Sequence, residues 1–229
     1  GLAIGGLYLG IKEKLPKKLG IKKRYNSYLG SAFSNNEIFK ALVKKKVKYK
    51  KTRSIYKLTA KFLEEGKIIG WFQGCSEFGP RALGNRSIIC KPYPLNMKDY
   101  LNKRVKFREY FRPFAPAVLN EKHKEYFNLN QESPHMLIAC QANKKKKHTI
   151  PAVVHVDGSC RVQTVSKESN FKFYNLIKEF YKLTSVPVIL NTSFNIKGQP
   201  MVNTPFQAID TFVRTKIDIL VIGDYIVSK

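Results

Sequence analysis

From about Arg53 to its end, the chain alternates runs of helical periodicity with short β-branched runs, and glycine, proline or asparagine marks most of the changes. A chain patterned this way buries helix stripes against strand faces, which restricts it to an α/β architecture. Residues 55–65 read as an amphipathic helix closed by Gly66, followed by an apolar strand over 67–72. Further strands are expected at 86–90, 115–119 and 136–142, with a helix over 97–105. Residues 152–156 and 161–165 flank the turn signal Asp157-Gly158, which predicts an antiparallel pair. A helix over 170–183 leads into the β-branched run 186–190. Thr204 or Asn203 can cap a helix that begins at Pro205 and runs to about Arg214, and strands at 217–222 and 225–227 close the chain about Gly223-Asp224. The expected fold is a twisted, mixed, partly antiparallel sheet with flanking helices.

Ahead of this region the pattern changes. Residues 2–10 are apolar and glycine-punctuated, too short for a domain, and read as the last helix of something upstream. Residues 12–24 are basic, contain Pro16 and Gly20, and read as a connector. Ser34 or Asn35 then offers a cap for a helix with an Ile38, Phe39 and Leu42 face. The chain thus divides into 1–47, the end of a preceding unit plus a basic connector, and 48–229, one domain.

At 229 residues and 43% hydrophobic, the chain can bury a sizeable core and is no disordered polycation, despite a net charge of +26. Such a charge would suit nucleic acid or an anionic membrane. It is spread along the whole sequence, however, and much of it is lysine on polar positions, including the run 144–147. A solvated surface therefore explains it better than a nucleic-acid footprint. Cys75, Cys90, Cys140 and Cys160 form no C-x-x-C pair and read as reduced, mostly buried small hydrophobes. No apolar run reaches the roughly 18 residues of a membrane span, and no signal-peptide series is present, so a cytoplasmic location is expected.

The chemistry-bearing residues concentrate in FGPRALGNRS, residues 78–87, and KRVKFREYFRPFAP, residues 103–116. Arginines and lysines are interleaved there with Gly, Pro, Asn and aromatic residues. Glycines let backbone approach a ligand closely, and guanidinium groups grip phosphate through paired hydrogen bonds, so the pattern suits an anion pocket. A glycine-rich turn with solvated arginines fits Arg81 and Arg86 equally well by composition. Alternation would place Lys106 and Arg108 on one face of an extended segment with Phe107 on the other. The crowd of Phe107, Tyr110, Phe111 and Phe114 implies partial burial of these cations, for which Glu109 is the one acid nearby. VILNTSFN, residues 188–195, reads as a strand ending in small polar side chains, where ligands of α/β sheets usually bind, although a capped turn serves as well. HVDGSCRVQTV adds Arg161 and Gln163 on one strand face. His155 reads as a satisfied core residue and Cys75 as packing. No Ser-His-Asp order, Walker loop or H-E-x-x-H motif appears.

Taken together, FQGCSEFGPRALGNRS, KFREYFRPFAPAVL, HVDGSCRVQTV and NTSFNIKGQPMVNTP resemble, in order and spacing, the carboxy-terminal domain of the NodU/CmcH-type O-carbamoyltransferases over roughly residues 48–229. The resemblance implies a YrdC-like fold that makes carbamoyl-adenylate from carbamoyl phosphate and ATP. A kinase-like, metal-dependent amino-terminal domain, nearly all of it missing here, would pass the carbamoyl group to a hydroxyl acceptor. The K-x-R and S-x-N signature matches Lys106-Phe107-Arg108 and Ser193-Phe194-Asn195. By the same resemblance Arg81, Lys106, Arg112, Arg161 and Ser193 would hold carbamoyl phosphate, with Lys106, Arg112, Arg161 and Ser193 carrying the chemistry. Arg86, Arg108, Gln163, Asn191 and Asn195 would lie near the nucleotide. The chain would have no metal ligands of its own, and Mg²⁺ would arrive only with ATP. The expected partners are carbamoyl phosphate, ATP and the kinase-like domain, with no membrane. The rival readings are a YrdC-like RNA-binding module and a catalytically silent fragment.

Overall fold

The computed structural model of the protein describes residues 2–14 and 27–229, so most of the connector expected at 12–24 lies outside the described residues. Helix α1 (Leu2–Lys14) extends the helix expected at 2–10. Helix α2 (Asn35–Lys44) starts at Ser34, whose hydroxyl and the Glu37 carboxylate form a reciprocal capping box. Asn35, the other candidate cap, instead donates to Asp224 at 2.5 Å. Ile38, Ala41 and Leu42 sink this helix into the core, so residues 27–47 pack directly against the remainder.

Strand β1 (Tyr49–Lys51) and helix α3 (Ile55–Glu64) precede β2 (Ile69–Phe72) and β3 (Arg86–Cys90). Helix α4 (Met97–Leu101) passes without a break into a π turn over Asn102–Lys106. Then come β4 (Ala115–Leu119), the short α5 (His123–Tyr126), β5 (Ile138–Gln141), β6 (Ser159–Val165), α6 (Phe171–Thr184), β7 (Val188–Ser193), α7 (Pro205–Arg214), β8 (Ile219–Ile222) and β9 (Tyr225–Ser228). Among the described residues, nine strands form one open, mixed sheet in the order β1-β9-β8-β2-β3-β7-β4-β6-β5. β2 runs parallel to β8 and β4 parallel to β6; the other neighbours are antiparallel. Helices α3 and α6 pack on each other beside the sheet, and α7 lies against β2 and β8 with α2 upon it. Leu63, Phe173, Leu176 and Phe180 are wholly buried there, each worth about 1.5–3 kcal/mol in removed apolar surface.

Two expectations fail locally. Residues 152–156 are not a strand: Pro151, which lacks an N–H, opens a 3₁₀ turn over Pro151–Val153, and Val156 is 91% exposed. His155 is half-buried, and its backbone N–H donates to Ser159 in a tight loop, so β6 pairs with β5 and β4 instead of with this segment. Nor is Lys106 to Arg108 extended. The Phe107 N–H donates to the Asn102 carbonyl, closing the π turn, and Phe107 itself is left-handed with φ 49°. Tertiary hydrogen bonds thus override β propensity in both places. Of the cysteines, Cys90 and Cys160 are buried while Cys75 and Cys140 are half-buried, all with free thiols. Among the described residues, no helix is long and apolar enough to cross a membrane.

Candidate anion site

The π turn aims Lys106 inward. A widened turn followed by a left-handed residue stores strain, and such backbone persists where its surroundings fix it. Asn102 does the fixing. Its carbonyl accepts from the N–H of Phe107 and of Arg108, its Oδ1 from Arg108 Nε at 2.7 Å, and its Nδ2 donates to the carbonyls of Tyr110 and Arg112. One buried amide thereby orients the whole segment 107–112.

Lys106 is only 4% exposed. Its ammonium donates to Ser193 O at 2.8 Å, Ser193 Oγ at 3.3 Å, Asn195 O at 2.8 Å and Asn195 Oδ1 at 2.7 Å. These oxygens replace water around the ammonium, and no carboxylate among the described residues pairs with it. Burial, and then the charge of Arg108, pull its pKa down to about 7. The same end of β7 is held together by Ser193 Oγ donating to Asn195 Oδ1 at 2.7 Å, while Asn195 Nδ2 donates to Gln199 O at 2.8 Å.

These groups line a cavity of about 270 Å³, together with Arg108, Glu109, Arg112 and residues 196–199. Arg108 stacks over the Phe114 ring at 4.5 Å and is pulled to about 10, first by burial and then by Arg112, with Glu109 opposing and Arg161 adding to the effect. Arg161 is likewise lowered by burial and then by Arg81. Arg112 and Arg161 thus act on Arg108, and Arg81 acts on Arg161, with Lys106 beside Arg108; Arg81 and Arg161 are not among the residues that line the cavity. The acid on this rim, Glu109, binds Arg112 at 2.9 Å and Lys197 at 3.7 Å. The burial expected of the cations holds for Lys106, but of the aromatic residues that suggested it only Phe114 is buried; Phe107, Tyr110 and Phe111 are 50%, 75% and 61% exposed.

Three of the nominated residues, Asn191, Gln163 and Arg86, are buried and do not line the cavity. Asn191 Nδ2 donates to Gln163 Oε1 at 2.8 Å and to Ala82 O at 3.0 Å, and Gln163 Nε2 donates to Leu83 O at 2.9 Å. Both side chains are 1% exposed, and they reach across β4 from β7 and β6 to support the loop that carries Arg81. Arg86 is wholly buried under the same loop. Its guanidinium donates to the carbonyls of Gln73, Gly74, Asn85 and Ser31 and lies 3.6 Å above the Phe72 ring, and burial lowers it to about 10 against the opposing charge of Glu77.

The glycine-rich loop differs from a phosphate cradle. The N–H groups of Leu83, Asn85 and Arg86 donate to Glu77 Oε1, and that of Gly84 to Ser87 Oγ. Gly84 is needed for another reason: its φ is +101°, and a Cβ there would meet the Phe173 ring at 2.3 Å. Glu77 and Asn102 were missed by motif reasoning. Each had one sequence signal, a lone acid beside a cationic loop and an asparagine inside a helical pattern.

The family model described as Carbamoyltransferase C-terminus matches residues 60–229. Nodulation protein NolNO of Sinorhizobium fredii is 47% identical over 173 residues, which cover 74% of this chain and 25% of that protein. An uncharacterized protein of Synechocystis is 40% identical across 89% of this chain and 37% of its own length, so the chain spans well under half of these relatives. Among solved structures, Sua5 of P. abyssi complexed with L-threonine superposes with a TM-score of 0.50 at 14% identity, over 74% of this chain and 46% of that one. HypF of T. kodakarensis gives 0.51 at 17% identity, over 77% and 21%. The chain therefore belongs to the carbamoyltransferase carboxy-terminal family, related to the nodulation carbamoyltransferases, and has the YrdC-like fold.

Proposed function

We propose that this domain holds carbamoyl phosphate and ATP in the cationic cavity and forms carbamoyl-adenylate. The observation that carries the reading is the buried Lys106 ammonium, bound among the described residues only to neutral oxygens of Ser193 and Asn195, with Arg108 beside it and Arg112 in the same cavity lining. Such a group lacks a counterion, and a phosphate dianion supplies one.

The balance of the reaction sets two steps. Water cleaves carbamoyl phosphate to carbamate and phosphate; a carbamate oxygen then bonds to the α-phosphorus of ATP as the bond to pyrophosphate breaks. The second step brings two anions together, and both steps move charge onto departing phosphate. Fixed cations offset the repulsion and stabilise the leaving groups, so positioning and electrostatics suffice without a protein nucleophile. Lys106, Arg112, Arg161, Arg81 and Ser193 would hold carbamoyl phosphate, and Arg108 and Asn195 would face the nucleotide. Gln163, Asn191 and Arg86 would act on the nucleotide site through the backbone they support. Mg²⁺ would be held by the phosphates of ATP, since among the described residues no group of three His, Cys, Asp or Glu side chains gathers. Transfer to a hydroxyl would belong to a further, kinase-like unit such as the longer relatives have room for.

Carbamoyl-phosphate-dependent exchange of pyrophosphate into ATP tests the proposal. Exchange that requires carbamoyl phosphate supports it. Tight carbamoyl phosphate binding without exchange would leave a silent fragment, and neither binding nor exchange refutes it. A second reading, single-stranded RNA binding, draws on exposed Tyr110 and Phe111 beside Arg108 and Arg112, since bases stack on such rings. It requires affinity for unrelated RNA sequences that falls steeply with salt.

A further inference from the structure

The loop between β2 and β3 contains a carboxyl group that the proposed chemistry does not use. Glu77 is 7% exposed, and its Oε1 accepts from the N–H of Leu83 at 2.7 Å, Asn85 at 2.8 Å and Arg86 at 3.2 Å. Its Oε2 is buried and finds no hydrogen-bond partner among the described residues. In an open glycine loop those N–H groups would form an anion-binding concavity. Here the protein's own carboxylate fills it, which keeps a phosphate off the loop backbone and leaves the Arg81 side chain as the loop's reach toward a ligand. On the other edge, the carbonyls of Ala82 and Leu83 accept from Asn191 and Gln163. Backbone immediately after Arg81 is thus gripped from both sides, and the exposed Arg81 side chain, carried on that backbone, is near enough to Arg161 for its charge to act there.

We infer that Glu77 is a positioning residue for carbamoyl phosphate: by occupying the N–H groups of residues 83, 85 and 86, it fixes the backbone that aims Arg81 at the phosphate. The inference rests on the proposed function and adds to it a residue that touches no substrate. A carboxylate accepting several backbone N–H bonds is a strong and geometrically demanding anchor, so weakening it should move Arg81 before it unfolds the sheet.

The test is a double-mutant cycle on the intact chain, with calorimetric carbamoyl phosphate binding to the parent, Glu77→Gln, Arg81→Ala and the double variant. Glu77→Gln is expected to weaken binding roughly tenfold in the parent and less than about twofold when Arg81 is already gone. Equal losses in both backgrounds, or no loss, would overturn the inference while leaving the proposed function standing. If the parent binds no carbamoyl phosphate, the proposed function fails and takes this inference with it. Should Glu77→Gln fail to fold, hydrogen exchange on the parent and Arg81→Ala decides. Carbamoyl phosphate should slow exchange of the Leu83, Asn85 and Arg86 amides in the parent but not in Arg81→Ala, and equal protection in both overturns the inference.

Discussion

Lys106 Nζ lies 2.8 Å from the carbonyl and 3.3 Å from the hydroxyl of Ser193, a residue 87 positions further along the chain. The pairing joins a strained π turn to the end of a central strand. Because the carbonyl contact survives side-chain removal, Ser193→Ala should leave the melting temperature within about 2 °C while weakening carbamoyl phosphate binding roughly tenfold. Parallel calorimetry and thermal melts check the split.

Lys106→Met retains volume and removes a poorly compensated cation. It should abolish carbamoyl-phosphate-dependent exchange yet stabilise the fold by roughly 1–4 kcal/mol at pH 6. The ammonium is held at about 7 when folded against an ordinary 10.5, so between those values the unfolded chain binds more protons. Stability of the parent therefore rises with pH across that window, and its penalty is complete below it. Urea melts should show the advantage of Lys106→Met shrinking from pH 6 to pH 9.

Binding a phosphate dianion should restore the proton to Lys106. At pH 8 carbamoyl phosphate binding is expected to take up close to one proton, and at pH 6 far less from this group, measured by calorimetry in buffers of different ionisation enthalpy. Uptake that does not rise between pH 6 and pH 8 would contradict the counterion role.

Arg112→Ala should weaken carbamoyl phosphate binding at least tenfold, because its guanidinium lines the cavity. Replacing Lys144, Lys145 and Lys147 with glutamine removes more charge, yet these residues are exposed outside the cavity and should leave that affinity unchanged at physiological salt. Titration of both variants against carbamoyl phosphate and unrelated RNA separates a defined site from general polycation behaviour.

Gly84→Ala should destabilise the domain by more than about 3 kcal/mol, since both the φ of +101° and the Phe173 ring exclude a side chain. The shift in urea midpoint reads this directly.

Helices and central strands were legible because burial and periodicity agree: Arg86–Cys90 and Ala115–Leu119 coincide with the expected strands. The strand expected at 152–156 met a proline turn instead. Its β-branched Val153, Val154 and Val156 gave no strand, because propensity speaks only for a pleated, half-buried surface. In the site, charges were visible but their orientation was not. Nothing local announces that residue 107 is left-handed or that Asn102 would hold three carbonyl and guanidine groups at once. Likewise, the glycines of residues 79–84 suggested backbone open to a ligand, whereas a residue seven positions before Gly84 closes it.

The strip that leads into the domain meets the arginine loop edge to edge: Gly30 donates to Ser76 O, Ser76 to Ser31 O, Phe78 to Ser27 O, and Arg86 also reaches Ser31 O. A piece able to fold with an ordered Arg81 loop must then include Ser27, because a cut at Lys48 would take Leu42 from the interior and unhook that seam.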